Sequence, residues 1–251
     1  MSRRSRDEMS DHVKQARARA TRERIVAGAS EVFERVGYGN STLGDITAEA
    51  GVTKGALYFH FQSKEDVARA VVEAQHSIAR AAAEEIIEAG LPPVETMMRL
   101  CADLAVRIRD DRIVRAGIRL TTDSSTFETP LQSPYKDWMA TFEALARRAR
   151  DLGEMTSAID AETLARFVIP AFTGVQLVSD TFTGRADIVD RVHDMWRVLI
   201  CATVPSAAHP SMLALAEAVF TDAPRQERIE AAQRLSGSAA DHSHPSERNS
   251  S

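Results

Sequence analysis

"TKGALYFHFQSKEDV", Thr53 to Val67, is the stretch whose reading decides the fold. It sets Tyr58, Phe59 and Phe61 around His60, with Lys54 and Lys64 on either side. Unpaired lysines are foreign to a core, and three clustered aromatic rings are unusual on a surface. A short helix with one anchored face and one presented face reconciles the two. Just upstream, Thr42 and Asp45 have capping-box spacing, and Leu43, Ile46 and Ala50 line one side of a helix that Gly51 ends. Thr53 can cap a second helix, in which Leu57 and Phe61 point inward. Two short helices joined at Gly51-Val52 make a helix-turn-helix. Ser63 and Asp66 form another capping box and open a longer helix striped by Val67, Val71, Ala74 and Ile78. That helix runs to about Ala89, where "GLPP" breaks it.

In a helix-turn-helix the second helix enters the major groove and its first residues meet base edges or phosphates. Lys54 sits in that first turn, and Gly55 and Ala56 are small enough to let the backbone come close to DNA. Tyr58 and His60 bring a hydroxyl and a ring nitrogen within reach of phosphates, and Lys64 with the amides near Ser63 offers another phosphate site. Thr42 and Thr53, at the two helix starts, complete the candidate DNA-binding set.

Working outward, Ile25, Ala29, Val32, Phe33 and Val36 repeat at helical spacing before Gly37, a glycine placed to stop the helix. Beyond the break at 90–93, Val94, Met97, Cys101, Leu104 and Ile108 make one stripe, and "RIVRAGIRL" continues it after Asp110-Asp111. A loop rich in Thr, Ser and Pro covers about 121–134. Ser133-Pro134 then starts a helix through Tyr135, Trp138, Met139, Phe142, Leu145, Ala149 and Leu152, stopped by Gly153. Asp160 opens a helix with Leu164, Phe167, Val168, Phe172 and Val175, and after Gly184 a last strong helix carries Ile188, Val189, Val192, Met195, Trp196 and Leu199. A weaker amphipathic stretch reaches about Leu235. Residues 236–251 have the composition of a disordered tail. With no alternating strand pattern and no internal repeat, the fold class is all-α.

The 251 residues carry a net charge of −5, distributed unevenly: +2 over residues 1–70 and −7 over the rest. "KQARARATRER", Lys14–Arg24, holds five basic residues and one acid, so one end of an acidic body is suited to a polyanion. A solvated helix start is the competing explanation. Cys101 and Cys201 make neither a disulfide framework nor a metal spacing, which fits a reduced, cytoplasmic compartment. No run approaches the ~18 apolar residues of a membrane span, so no membrane partner is expected.

Catalytic patterns fail one by one. No glycine-rich phosphate loop or serine elbow is present. Asp110-Asp111 resembles the start of a magnesium-binding motif, but Val114 stands where the pattern needs a polar ligand. The seven histidines are scattered and no Cys/His set has zinc spacing. No enzyme, metal or cofactor is expected.

"RERIVAGASEVFERVGYGNSTLGDITAEAGVTKGALYFHFQSKEDV", within about Thr21–Val72, closely resembles the N-terminal domain of TetR-family transcription regulators. The glycine after the first helix, the short second helix, the "TKGALYFHF" helix and the "SKEDV" start all stand in family order. The resemblance implies a C-terminal part that binds a small ligand and forms a homodimer through its last two large helices. "SPYKDWMATFEALARRARDLGEM" and "FVIPAFTGVQLVSD" are similar to γ-butyrolactone-type autoregulator receptors of actinobacteria, in which a tryptophan at the Trp138 position lines the hormone pocket. By spacing alone Trp138 reads as core.

Around Trp138 the candidate ligand set is Gln75, Phe142, Phe172 and Thr173. Gln75 is either solvent-facing or a donor to a lactone carbonyl. The Thr173 hydroxyl either meets ligand or bonds back to its own helix. Phe142 and Phe172 are core or pocket wall. The stripe of Val192, Met195, Trp196 and Leu199 suits a dimer face or a core equally. Arg147, Arg148 and Arg150 read as a solvated face, and "HSH" at 242–244 as a tail feature.

The expected organisation is a basic arm (1–19), a helix-turn-helix domain (20–66), a ligand-binding and dimerisation domain (67–204), and an extension (205–251) disordered from about 236. The expected function is a homodimeric repressor on an inverted-repeat, double-stranded operator, released by a small hydrophobic γ-butyrolactone-like or butenolide-like signal and controlling secondary metabolism. Two alternatives stand beside it: a TetR-family sensor of an antibiotic or other small hydrophobic molecule controlling efflux or biosynthesis, and a ligand-independent DNA-binding protein.

Overall fold

Side-chain caps set the helix boundaries around the opening stretch. The computed structural model describes residues 3–123, 126–129 and 131–221. The helices are α1 (Arg3–Asn40), α2 (Leu43–Ala50), α3 (Lys54–His60), α4 (Lys64–Glu88), α5 (Pro93–Asp110), α6 (Arg112–Thr122), α7 (Ser133–Asp151), α8 (Ala161–Thr183) and α9 (Ile188–Thr203). A further helix, α10, covers 209–221, and no strand occurs among the described residues.

Both expected capping boxes form. Asp45 N donates to Thr42 Oγ1 at 3.1 Å while Thr42 N donates back to the Asp45 carboxylate at 2.9 Å. Ser63 and Asp66 exchange the same pair of bonds at 3.0 Å. Thr53 Oγ1 accepts from Ala56 N at 3.1 Å and so starts α3. Gly51 closes α2 in the left-handed region, φ 60° and ψ 40°, where a side chain would clash with its own backbone. Asp160 caps α8.

Gly37, at φ 77° and ψ 163°, leaves helical backbone and breaks α1 where the sequence places the stop, and a short helical stretch follows to Asn40. One boundary differs from expectation. Asp111 interrupts the α5 stripe, because its carboxylate accepts from Ile113 N and Val114 N and caps a separate α6. The expected tail at 236–251, with "HSH" 242–244, lies outside the described residues, as do the first two residues of the arm.

The chain forms two compact units: residues up to Gly90 with Arg107–Thr141, and Leu91–Val106 with Phe142 onwards. The first is built on one apolar cluster drawing Ile25, Ala29, Val32 and Phe33 from α1, Ile46 from α2, Leu57 from α3, Val67 and Val71 from α4, and Ala116 and Leu120 from α6. Two glycines permit its closest approaches. A methyl at Gly28 would lie 2.7 Å from Ala50 N, and one at Gly117 would lie 2.4 Å from Gln75 Cβ. These spacings draw α2 onto α1 and α6 onto α4. Arg115 Nε donates to Glu34 at 2.5 Å, and Arg112 pairs with Glu31, tying α6 to α1 across the same unit.

In the second unit Val94, Met97 and Cys101 of α5, Phe142 and Leu145 of α7, Leu164, Val168 and Phe172 of α8, and Val192, Trp196, Leu199 and Ile200 of α9 are buried. Burial pushes the Cys101 thiol up to about 12, and the Trp196 indole opposes the shift only in part. His193 stacks on Phe220 at 5.3 Å, which seats α10 on α9. Between α8 and α9 the Asp187 carboxylate accepts from Ser179 Oγ (2.6 Å), Thr183 Oγ1 (2.8 Å) and Arg191 Nε (2.7 Å).

The last stripe resolves toward core. Val192, Trp196 and Leu199 are buried, and Met195 is half-buried. The exposed apolar side chains of α8 and α9 are instead Phe167, Leu177, Val178, Phe182 and Val198.

Candidate DNA interface and ligand cleft

Helix α3 is seven residues long, too short to persist alone, and is held by one face. Leu57 is fully buried and Phe61, one turn on, nearly so. The other face is free: Lys54 and Gly55 are exposed, Tyr58 is 57% and Phe59 79% accessible, and His60 is half-buried. Phe59 is the most exposed large apolar side chain described, and it was missing from the candidate set. Its signal was present: with Leu57 and Phe61 inward at i, i+4, residue 59 must face away. Gly55 is open too. A methyl there would meet only Thr53 Oγ1, at 3.9 Å, so the fold does not need a glycine at this position.

Thr42 and Thr53 are exposed, with hydroxyls engaged in the caps. Hydrogen bonds from Thr42 hold the Asp45 carboxyl below its ordinary range. Lys64 turns inward. Its Nζ donates to Tyr38 O at 2.7 Å and Ser41 O at 2.9 Å and sits 4.3 Å from the Tyr38 ring centroid. It braces the α1–α2 connection against the start of α4, leaving one of three donors for a phosphate. Tyr38 itself titrates above its ordinary value, chiefly through burial.

An open cleft of about 400 Å³ lies within the first unit, lined by α4 (including His76, Arg80, Glu84 and Ile87) and the start of α7 (including Asp137 and Trp138). Trp138 is half-buried there. His76 Nε2 is 3.1 Å from Asp137 Oδ2, and its Nδ1 is buried with no hydrogen-bond partner among the described residues. Buried polar atoms are nearly always paired, and this nitrogen is an exception that is closed to solvent and so does not itself face the open cleft. The sequence did not flag His76, Arg80 or Asp137, because His76 and Asp137 stand 61 positions apart.

Of the five candidate ligand residues, only Trp138 lines this cleft. Gln75 precedes His76 on α4 but is 2% exposed and packs on Gly117, so it does not face solvent. Phe142 and Phe172 are buried in the second unit. Thr173 donates its hydroxyl to Ile169 O at 3.0 Å, the back-bond open to a mid-helix threonine.

Residues 25–71 match the family of bacterial regulatory proteins named for TetR, and residues 89–205 match the tetracyclin repressor-like C-terminal domain. The A-factor receptor protein of Streptomyces griseus is 36% identical over 201 residues, 80% of this chain and 68% of that protein. A crystal structure of a γ-butyrolactone receptor, an ArpA-like protein, superposes with a TM-score of 0.70 at 32% identity over 82% of this chain and 99% of the other. The TetR-family protein CprB of Streptomyces coelicolor, in complex with its biological operator sequence, gives 0.69 at 32% identity over the same shares. These relatives are regulators and not enzymes, and no described helix is long and apolar enough to cross a membrane. The chain belongs to the TetR family of bacterial regulatory proteins, as a transcriptional repressor related to the γ-butyrolactone receptors.

Proposed function

We propose that this repressor binds an inverted-repeat operator as a homodimer and lets go when a small, largely apolar γ-butyrolactone-like or butenolide-like signal enters the Trp138 cleft, with secondary metabolism as the controlled process. Residues 20–66 would carry DNA recognition, through Lys54, Gly55, Tyr58 and His60 with Thr42, Thr53 and the remaining donor of Lys64. Residues 67–204 would carry ligand binding and dimerisation. The exposed side chains Phe167, Phe182 and Val198 on α8 and α9 supply the apolar surface a two-fold interface needs.

One observation carries the ligand part: the cleft and the DNA-reading helices share α4. That helix starts at the Ser63 cap, directly after α3, and lines the cleft from His76 to Ile87. His76 lies about 20 Å along α4 from Ser63, at 1.5 Å per residue. A ligand that moves α4 therefore moves the start of the unit that holds α3. A cleft of this size suits one small molecule. Trp138 offers a broad face for a flat ring, and His76 with Asp137 offers the polar contact, while Gln75, Phe142, Phe172 and Thr173 fall outside the cleft lining. Two recognition helices must fit successive grooves together, so a small change in their spacing costs binding. Couplings of this kind are about 1–3 kcal/mol, or roughly 5–150-fold in affinity.

The experiment is operator release followed by fluorescence anisotropy, using a duplex selected from a random-sequence pool and a synthetic γ-butyrolactone series. Trp138→Ala should stay folded and dimeric and bind operator normally, yet no longer release it. Release of the variant at the wild-type ligand concentration would remove the cleft. Release by an antibiotic and not by any lactone would favour the broader sensor reading.

A further inference from the structure

We infer that the exposed N-terminal part of α1 is a second DNA-contact element, in which Lys14 and Arg17 hold backbone phosphates of the duplex beside the segment read by α3. The inference rests on the operator-binding reading above.

The five cations of 14–24 are not equivalent. Arg19 pairs with Glu23 at 2.8 Å. Arg22 turns toward α4, 3.6 Å from Glu73 and over the Phe61 ring. Arg24 donates to Ala50 O at 2.8 Å and Gly51 O at 2.7 Å, placing positive charge on the negative end of α2. Lys14 and Arg17 are exposed and have no ion-pair partner among the described residues.

Lys14, Arg17, Thr21 and Arg24 are spaced three, four and three apart, which puts them on one face of a helix. Arg24 fixes where that face looks: toward the α2–α3 turn, from which α3 and its exposed Lys54 and Gly55 set out. The two unpaired cations therefore lie on the same side as the reading helix. Arg17 and Lys14 stand about 10 and 15 Å beyond Arg24 along the axis, a span of roughly three to four base-pair steps at 3.4 Å each. Residues 12–20 include no buried side chain, so this part of α1 contributes nothing to the core that would explain it. A positive face continuous with a DNA-reading surface fits duplex phosphate and no apolar partner.

The test uses the full-length chain, the Lys14→Ala/Arg17→Ala double variant, and labelled operator duplexes in a salt series. Each phosphate contact adds about 0.9 to the slope of log K against log salt, so losing two contacts in each of two protomers should flatten the slope by about 3–4. Trimming the duplex by about four base pairs at each end, the reach estimated above, should weaken wild-type binding and leave the variant unchanged. Both residues are exposed and outside the core, so circular dichroism should confirm an unaltered fold. A variant with the wild-type slope overturns the arm and leaves the repressor reading standing. Wild-type protein that binds no duplex overturns both.

Discussion

Gly55→Ala adds one methyl to the exposed face of α3 and should pull stability and DNA affinity in opposite directions. Inside the protein the methyl meets nothing nearer than Thr53 Oγ1, at 3.9 Å. Replacing glycine in a helix by alanine lowers the entropy cost of folding, with a gain of about 0.5–1 kcal/mol. For a chain of this size that raises the melting temperature by about 1–4 °C, at roughly 2–4 °C per kcal/mol. In the proposed complex with DNA the same methyl would occupy the space through which the backbone approaches the duplex. Overpacking a close interface costs at least about 1 kcal/mol per site. Two half-sites make that about 2 kcal/mol, or roughly 30-fold in operator affinity. Thermal melting by circular dichroism and anisotropy on the operator duplex at fixed salt read the two effects separately. A variant that is more stable and binds operator as tightly as wild type would refute the close approach. A variant that melts lower would show that the free-space argument is wrong.

Tyr58→Phe should weaken binding to specific and random duplexes by the same factor, since a phosphate contact carries no base information; Lys54→Ala should weaken both and also narrow the gap between them, and unchanged affinity in both variants would take α3 out of the interface. Gly28→Ala forces a methyl within 2.7–2.9 Å of the Ala50 backbone and Cβ, so α2 must shift; we expect a loss of about 1–3 kcal/mol in chemical denaturation, and a variant as stable as wild type would mean that α1 and α2 sit further apart. Hydrogen bonds from Ser179, then Thr183 and Arg191, lower the Asp187 carboxyl to about 2, so its contribution is complete above the unfolded value of about 4 and disappears as pH falls through 2. Asp187→Asn should accordingly be less stable than wild type at neutral pH and converge with it on acidification, and a gap that persists at pH 2 would contradict the assignment.

Much of the DNA-reading head was legible because its signals are local. Thr42 with Asp45, Ser63 with Asp66, Thr53 with Ala56, and the left-handed Gly51 all act over three residues or fewer, and each forms as the spacing implies. The i, i+4 pair Leu57 and Phe61 likewise settles which face of α3 is anchored. These are properties of a chain segment, and one sequence contains them. Position 111 shows the limit even locally: the hydrophobic stripe continues past it, and a side-chain cap overrules the stripe.

What only the tertiary structure decided are contacts between residues distant in sequence. Lys64 carries the same charge as Lys54, yet two carbonyls 23 and 26 positions away turn it inward and make it a brace. Val192 and Leu199 have the periodicity of an interface or a core, and their burial makes them core while Phe182 and Val198 remain outside. Gly28 and Gly117 look like poor helix residues until Ala50 and Gln75 arrive against them. Trp138 could be named from the sequence, but His76 and Asp137 beside it in the cleft could not, because nothing in a 61-residue separation encodes that those two meet. Helical periodicity tells which side of a helix is apolar; which of several apolar or charged sides finds a partner depends on how the other helices are placed around it.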